Sequence, residues 1–128
     1  MERKHVLLVD DDSIFQMLGT KALHRVGVNE TRIQKALNGQ QALDMLKDPG
    51  SPRPDVILLD LNMPIMNGFE FLEAFNKLTP LEKNDTRVVV VTSSASPGDI
   101  EKAKALGAKE YLTKPLLDEQ LTAVLKVA

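Results

Sequence analysis

Strand-like segments alternate with amphipathic segments along the whole chain, and this alternation constrains the fold most. Five segments have the length and apolar character of β-strands, the second of them weakly: 6–9, 32–37, 55–59, 88–91 and 108–112. Each is followed by apolar residues at helical spacing. Right-handed crossovers between such units place helices on both faces of a parallel sheet. We therefore expect an α/β fold, a three-layer doubly wound (βα)5 sandwich.

Two strand orders are common in folds of this kind. The five-strand flavodoxin-like order 2-1-3-4-5 fits the count, and its topological switch point lies between the first and third strands. A chain of 128 residues, 43% of them hydrophobic, fits one domain with one core. We expect a single domain over 1–128 with no output domain, so that any effect is exerted through another molecule.

Capping residues predict where the helices begin and end. The first helix is expected to begin at Ser13 and to end at Gly27, and Ser96 is expected to cap the helix after the fourth strand. The polar stretch 79–86 is expected to be a loop. The inward stripe of the first helix is expected to consist of Ile14, Met17, Leu18 and Ala22.

Composition excludes several classes of function. The formal net charge is −2 with both signs interspersed, so neither nucleic acid nor a membrane is expected as a partner. There is no cysteine, which excludes a disulfide framework, a thiolate nucleophile and a cysteine zinc site. We find no signal-peptide core and no apolar stretch long enough to cross a bilayer. A cytoplasmic location is therefore expected.

Polar side chains follow four of the predicted strands. The acidic run 10–12 follows the first strand, Asp60 the third and Thr92 the fourth, while the fifth leads into Lys114 and Pro115. The carboxyl ends of parallel strands meet at one edge of a sheet, where such folds bind ligands. Each motif alone could be an ordinary cap or turn. Their joint position at the ends of different strands favours a single site.

The chemistry of that site can be weighed from its charges. Two carboxylates about 4 Å apart repel by about 4 kcal/mol at an effective dielectric of about 20, so a crowded group of acids needs a proton or a cation. Oxygen-only ligands favour a hard divalent ion, Mg²⁺ or Mn²⁺. With Lys114 and Thr92 added, an anion with tetrahedral oxygens is the expected guest, and Asp60 is the candidate nucleophile.

Four blocks, in order and at family-like spacing, resemble the signatures of response-regulator receiver domains: 9–12, 59–68, 91–93 and 111–115. The resemblance covers almost the whole chain. In particular, the chain is similar to the free-standing, single-domain receivers of the chemotaxis-regulator type.

The resemblance implies a role for each matching residue. Asp60 matches the phosphoacceptor, Asp10 and Asp11 match the acids that hold Mg²⁺, and the backbone carbonyl of Asn62 matches the group that completes the metal site. Asp12 matches a variable position.

Further roles follow from the same resemblance. Thr92 and Lys114 match the hydroxyl and the amine that contact the phosphoryl group, and Lys114-Pro115 matches a cis peptide bond. Tyr111 matches a switch aromatic. Asn62 and Ser94 match positions that influence how water reaches the phosphoryl group.

The implied function is that of a two-component receiver. A histidine kinase or histidine phosphotransfer protein donates a phosphoryl group to Asp60, which shifts an interaction surface read by an unknown downstream protein. A relay intermediate and a phosphate sink are alternatives. The expected catalysis is limited to the protein's own phosphorylation and dephosphorylation.

Two rival functions are less favoured. An aspartate-nucleophile phosphohydrolase of the haloacid dehalogenase type normally carries a second acid where this chain has Asn62. A phosphorylation-independent interaction module is disfavoured because the full set of site residues is present. Phe15, on the first helix, would support partner docking if exposed and packing if buried.

Overall fold

The computed structural model describes residues 4–63, 65–83, 85–93 and 96–127, and the sheet within them has five parallel strands. Their order is β2-β1-β3-β4-β5, which confirms the predicted topology and places β1 and β3 side by side at its centre. The strands are β1 Val6–Val9, β2 Ile33–Ala36, β3 Val56–Leu59, β4 Arg87–Thr92 and β5 Glu110–Thr113.

Helices cover both faces of the sheet. They are α1 Ser13–Arg25, α2 Gly39–Lys47, α3 Gly68–Asn76, α4 Pro80–Lys83, α5 Pro97–Ala105 and α6 Asp118–Val127, with a 3-10 turn at Glu30–Arg32. Gly27 and Gly107 have φ angles of 97° and 99°, so glycine follows α1 and α5 in the left-handed conformation that ends helices. No helix in the described part of the chain combines the length and apolar character needed to span a membrane.

The two faces of the sheet bury alternate residues of the central strands. One face packs against α2, α3 and α5 and contributes Leu7, Val9, Ile57, Leu59, Val88 and Val90. The other face packs against α1 and α6 and contributes Val6, Leu8, Val56, Leu58, Val89 and Val91. Burial on both faces explains why these strands are continuous apolar runs rather than alternating ones.

The predicted inward stripe of α1 was wrong for three of its four residues. Ile14, Met17 and Leu18 are 64%, 50% and 50% exposed. The buried face of α1 consists instead of Gln16, Gly19, Thr20, Ala22 and Leu23.

Hydrogen bonds explain this orientation. The Gln16 side-chain amide donates to the backbone carbonyls of Asp10 and Ala36, both at 2.8 Å, and the Thr20 hydroxyl donates to the carbonyl of Gln16 at 2.8 Å. Buried polar groups that are fully hydrogen-bonded cost little. The hydrophobic pattern mispredicts the buried face of α1 because it assumes that every polar residue faces solvent.

Two helix starts also differ from expectation. Asp12, rather than Ser13, caps α1, since its Oδ1 accepts the backbone N–H of Ile14 at 2.9 Å. Ser96 precedes α5, but no capping hydrogen bond from its side chain is seen among the described residues.

The short helix α4 lies within the stretch predicted to be a loop. Thr79 and Glu82 form reciprocal capping hydrogen bonds around its first turn, at 3.0 Å and 3.2 Å. This is the capping-box pattern, with Pro80 at the first helical position, so the sequence did carry a signal for it.

The corrected orientation of α1 predicts opposite results for two leucines on the same helix. Leu23→Ala removes a fully buried side chain and should lower the free energy of unfolding by about 2–4 kcal/mol. Leu18→Ala removes a half-exposed one and should cost less than about 1 kcal/mol. Urea denaturation followed by circular dichroism measures both. Equal losses would contradict the orientation of α1 described here.

Candidate functional site

Strand register brings the predicted site residues to one edge of the sheet. Val9 pairs with Leu59, so Asp10 and Asp60 follow neighbouring strands at the same level. Thr92 pairs with Thr113, and the backbone N–H of Lys114 donates to the Thr92 carbonyl at 2.9 Å. The five residues predicted from four strand ends therefore share the edge at the topological switch point, as expected for this fold.

Three carboxylates form an acidic cluster at this edge. Asp10, Asp11 and Asp60 each offer an oxygen, and these oxygens lie within 4.8 Å of one another. Asp10 and Asp60 are 2% and 6% exposed, whereas Asp11 is open to solvent. An oxygen-only cluster with one open side has the donor set that a hard divalent cation requires.

Asp10 is held in place by three neighbours. Its Oδ1 accepts the backbone N–H of Asp12 at 2.9 Å, its Oδ2 accepts the Lys114 ammonium at 2.7 Å, and its carbonyl accepts the Gln16 amide. These contacts fix the orientation of the carboxylate in the cluster.

The negative charge of Asp60 is less well compensated than that of Asp10. The Lys114 ammonium is 3.8 Å from its Oδ1, and the backbone N–H of Asn62 donates to its carboxylate. Burial, and then the nearby charge of Asp10, raise the pKa of Asp60 from 3.8 to about 6 despite the lysine. The structure thus concentrates uncompensated negative charge on the aspartate at the switch point.

Lys114 is the cation of the site. The Lys114-Pro115 bond is cis, as the resemblance implied. Besides its contacts with Asp10 and Asp60, the ammonium lies 4.0 Å from the centroid of the Phe15 ring. Phe15 is half-buried and packs against the core shared by α1 and α6, which favours packing over the docking role considered for it.

The remaining predicted residues surround this centre. Thr92 is fully buried at the end of β4, and Asn62 is exposed beside Asp60. Tyr111 is partly buried on β5, and both burial and the Asp99 carboxylate raise the pKa of its hydroxyl. Ser94 lies outside the described residues.

Close backbone contacts require glycine at position 68, where α3 begins. A Cβ atom on Gly68 would lie 2.7 Å from the carbonyl oxygen of Asp60 and from Cα of Leu61. Such a contact is too short for any side chain, so α3 can start directly against the Asp60 loop only with glycine there.

Sequence reasoning missed two contributors to the site. Gln16 joins the ends of β1 and β2 through its amide, and Phe15 places its ring against Lys114. Neither belongs to a strand-end motif. The only signal for Gln16 was a polar residue within an otherwise amphipathic helix, and its meaning depends on which face of α1 is buried.

The raised pKa of Asp60 predicts a pH-dependent penalty on the metal-free protein. Between about pH 4 and 6 the folded state holds the Asp60 proton that the unfolded chain has released, so stability falls as pH rises through this window. A shift from 3.8 to about 6 corresponds to about 3 kcal/mol. Asp60→Asn should therefore be more stable than the wild type by about 2–3 kcal/mol at pH 7 in a chelator.

The test is urea denaturation of both proteins in EDTA at several pH values. The difference between the two should shrink as the pH falls from 7 towards 4, because the folded protein regains the Asp60 proton below about pH 6. A difference that stays constant from pH 4 to 7 would show that Asp60 titrates normally.

Comparisons with known proteins agree with this geometry. A sequence model described as the response regulator receiver domain matches residues 6–126. The two-component response regulator ORR41 of Oryza sativa subsp. japonica is 32% identical over 127 residues, which cover 98% of this chain and 95% of ORR41. The solved structure of chemotaxis protein CheY4 from Vibrio cholerae has a TM-score of 0.81 and 31% identity, covering 97% of each chain.

The similarity also extends to part of a larger protein. The sensor histidine kinase CheAY of Helicobacter pylori is 35% identical over 121 residues, which cover 94% of this chain but only 14% of CheAY. Among these relatives, the chain therefore matches one nearly end to end and a small part of another. The family match, the strand order and the acidic cluster at the switch point lead to one conclusion: this chain belongs to the response regulator receiver domains of two-component systems.

Proposed function

We propose that Asp60 is the phosphoacceptor of this receiver. The observation that carries the proposal is its position: a buried carboxylate with a raised pKa, beside two further acids and within 3.8 Å of the Lys114 ammonium. A carboxylate whose charge is poorly compensated in the resting protein is stabilised most by added positive charge, and its deprotonated form is the one that can attack phosphorus.

The proposed phosphodonor is a phosphohistidine of a histidine kinase or a histidine phosphotransfer protein. One carboxylate oxygen of Asp60 attacks phosphorus, and the P–O bond forms as the P–N bond to the imidazole breaks. The electron pair of that bond leaves on the imidazole nitrogen, which takes up a proton. Asp60 needs no general base for this step, because its carboxylate is deprotonated above about pH 6.

The residues of the acidic cluster fit Mg²⁺, with Mn²⁺ as a substitute. In this proposal Asp10, Asp11 and Asp60 provide carboxylate oxygens and Asn62 provides its backbone carbonyl. When bound, the ion supplies positive charge that offsets the repulsion among the acids and the charge developing on the phosphoryl oxygens.

Lys114 and Thr92 complete the proposed phosphoryl site. The ammonium already lies beside Asp60, so it is placed to donate to a phosphoryl oxygen without a large movement. Thr92 ends the neighbouring strand, and its hydroxyl is proposed to donate to another oxygen. Both groups stabilise charge that appears only on transfer, which is how binding energy accelerates a reaction.

Phosphorylation is proposed to shift an equilibrium between two conformations of the surface formed by α5, β5 and α6. Movement of Thr92 towards the phosphoryl group would free space for Tyr111, which is partly buried in the present state, and alter the surface formed by α5, β5 and α6. A downstream protein that reads this surface is the proposed output. A relay intermediate or a phosphate sink would use the same chemistry with a different acceptor.

The proposal does not include rapid hydrolysis of small phosphorylated substrates. Asn62 stands two residues after Asp60 and cannot act as the general acid that an aspartate-nucleophile phosphohydrolase uses there. The proposed catalysis is confined to the protein's own phosphorylation and dephosphorylation.

The test is incubation with acetyl phosphate and Mg²⁺ followed by intact mass spectrometry. The wild-type protein should gain one phosphoryl group that is stable in acid and lost in base, and EDTA should prevent the gain. Asp60→Asn should gain none. Asp12→Asn is the matched control, because it removes a neighbouring charge yet keeps a residue that caps α1 well, and it should be phosphorylated like the wild type.

Two outcomes would contradict the proposal. One is a phosphoryl adduct that persists in Asp60→Asn. The other is rapid, continuous release of phosphate from many small phosphomonoesters, which would favour a phosphohydrolase instead.

A further inference from the structure

The Lys114 ammonium has a neutral neighbour as well as its two acids. It lies 4.0 Å from the centroid of the Phe15 ring, within the range at which a cation is attracted to an aromatic face. The lysine side chain is only 18% exposed, so water screens this attraction weakly. The ring is therefore part of what determines where the ammonium lies.

The shorter of the two carboxylate contacts of the ammonium is with a proposed metal ligand. Asp10 Oδ2 accepts from Lys114 at 2.7 Å, and the same carboxylate belongs to the acidic cluster. A divalent ion bound to the cluster shares the charge of Asp10 and weakens its pull on the lysine. The contact with Phe15 does not change, because the ring has no charge for a metal ion to neutralise.

Phe15 is itself well anchored. It belongs to α1, packs against the core under that helix, and lines a small cavity of about 160 Å³ together with Gly19, Pro115 and Leu116. The ring thus bridges α1 and the segment that follows Lys114. It offers no hydrogen-bonding group, so it leaves the three ammonium protons free for carboxylate or phosphoryl oxygens.

We propose that Phe15 is a positioning residue for phosphoryl transfer, and that its ring holds the Lys114 ammonium beside Asp60 when the acidic cluster is loaded with a divalent ion. This inference rests on the proposed function. Phe15 touches neither the metal nor the phosphoryl group in this account, and it acts only through the lysine.

The first readout is the contact itself, measured without phosphorylation. In the protein with saturating Mg²⁺, NMR should show the ε-methylene protons of Lys114 shifted upfield by the ring current of Phe15. Phe15→Leu should abolish that shift, and Phe15→Tyr should preserve it. Normal shifts in the wild type would overturn the inference, whether or not Asp60 accepts phosphate.

The second readout is the rate of phosphorylation by acetyl phosphate at saturating Mg²⁺. Phe15→Leu should lower the rate constant by about three- to ten-fold, as expected for loss of a partly buried cation–π contact, whereas Phe15→Tyr should stay within about two-fold of the wild type. Met17→Ala, which is on the exposed face of the same helix and does not line the cavity beside Phe15, is the matched control and should also stay within about two-fold. Acetyl phosphate is a small molecule that does not dock through a protein surface. A lower rate constant in Phe15→Leu therefore cannot come from weaker binding of a partner protein.

A double-mutant cycle separates positioning from general structural damage. In a Lys114→Ala background, Phe15→Leu should cause no further loss of rate, since the ring then has no ammonium to hold. Equal losses in both backgrounds, or a Phe15→Leu rate equal to that of the wild type, would overturn the inference while the proposed function stands. A wild-type protein that gains no phosphoryl group would overturn both.

Discussion

The crowding of carboxylates at the carboxyl end of the sheet is the constraint on which the rest of the site depends. Asp10 and Asp60 follow paired central strands, so the register of β1 and β3 forces them together. The Lys114 ammonium lies within 4 Å of both and offsets part of the repulsion. Even so, burial, and then the charge of Asp10, raise the pKa of Asp60. The fold accepts an electrostatic cost there, which a bound cation can relieve.

The same constraint shapes the neighbouring elements. The buried side chain of Gln16 hydrogen-bonds the ends of β1 and β2. Because the face of α1 that carries Gln16 points towards the sheet, three large apolar residues of the helix point towards solvent. Gly68 allows α3 to begin in contact with the Asp60 backbone. These features keep the strand ends fixed. Groups held in place in this way can stabilise charge in a transition state without first having to reorganise.

The sequence was sufficient to predict the strand order and the meeting of the strand-end residues at one edge of the sheet. Continuous apolar runs identify buried parallel strands, and in such a fold the residue after each strand has a known place. The orientation of α1 was not predictable by the same rule, because Gln16 and Thr20 are buried through hydrogen bonds rather than apolar character. The contact of Phe15 with Lys114 depends on how α1 packs against the segment after β5. No local pattern encodes that packing, whereas the capping box of α4 was a local signal that could have been read.

The measurement that tests the central claim most directly is chemical trapping of the modified residue. After incubation with acetyl phosphate and Mg²⁺, borohydride reduction converts an aspartyl phosphate to homoserine, and peptide mass spectrometry locates it. The account predicts homoserine at position 60 and aspartate at positions 10, 11 and 12 of the same molecules. Homoserine at any of those three positions, or at none of the four, would contradict it.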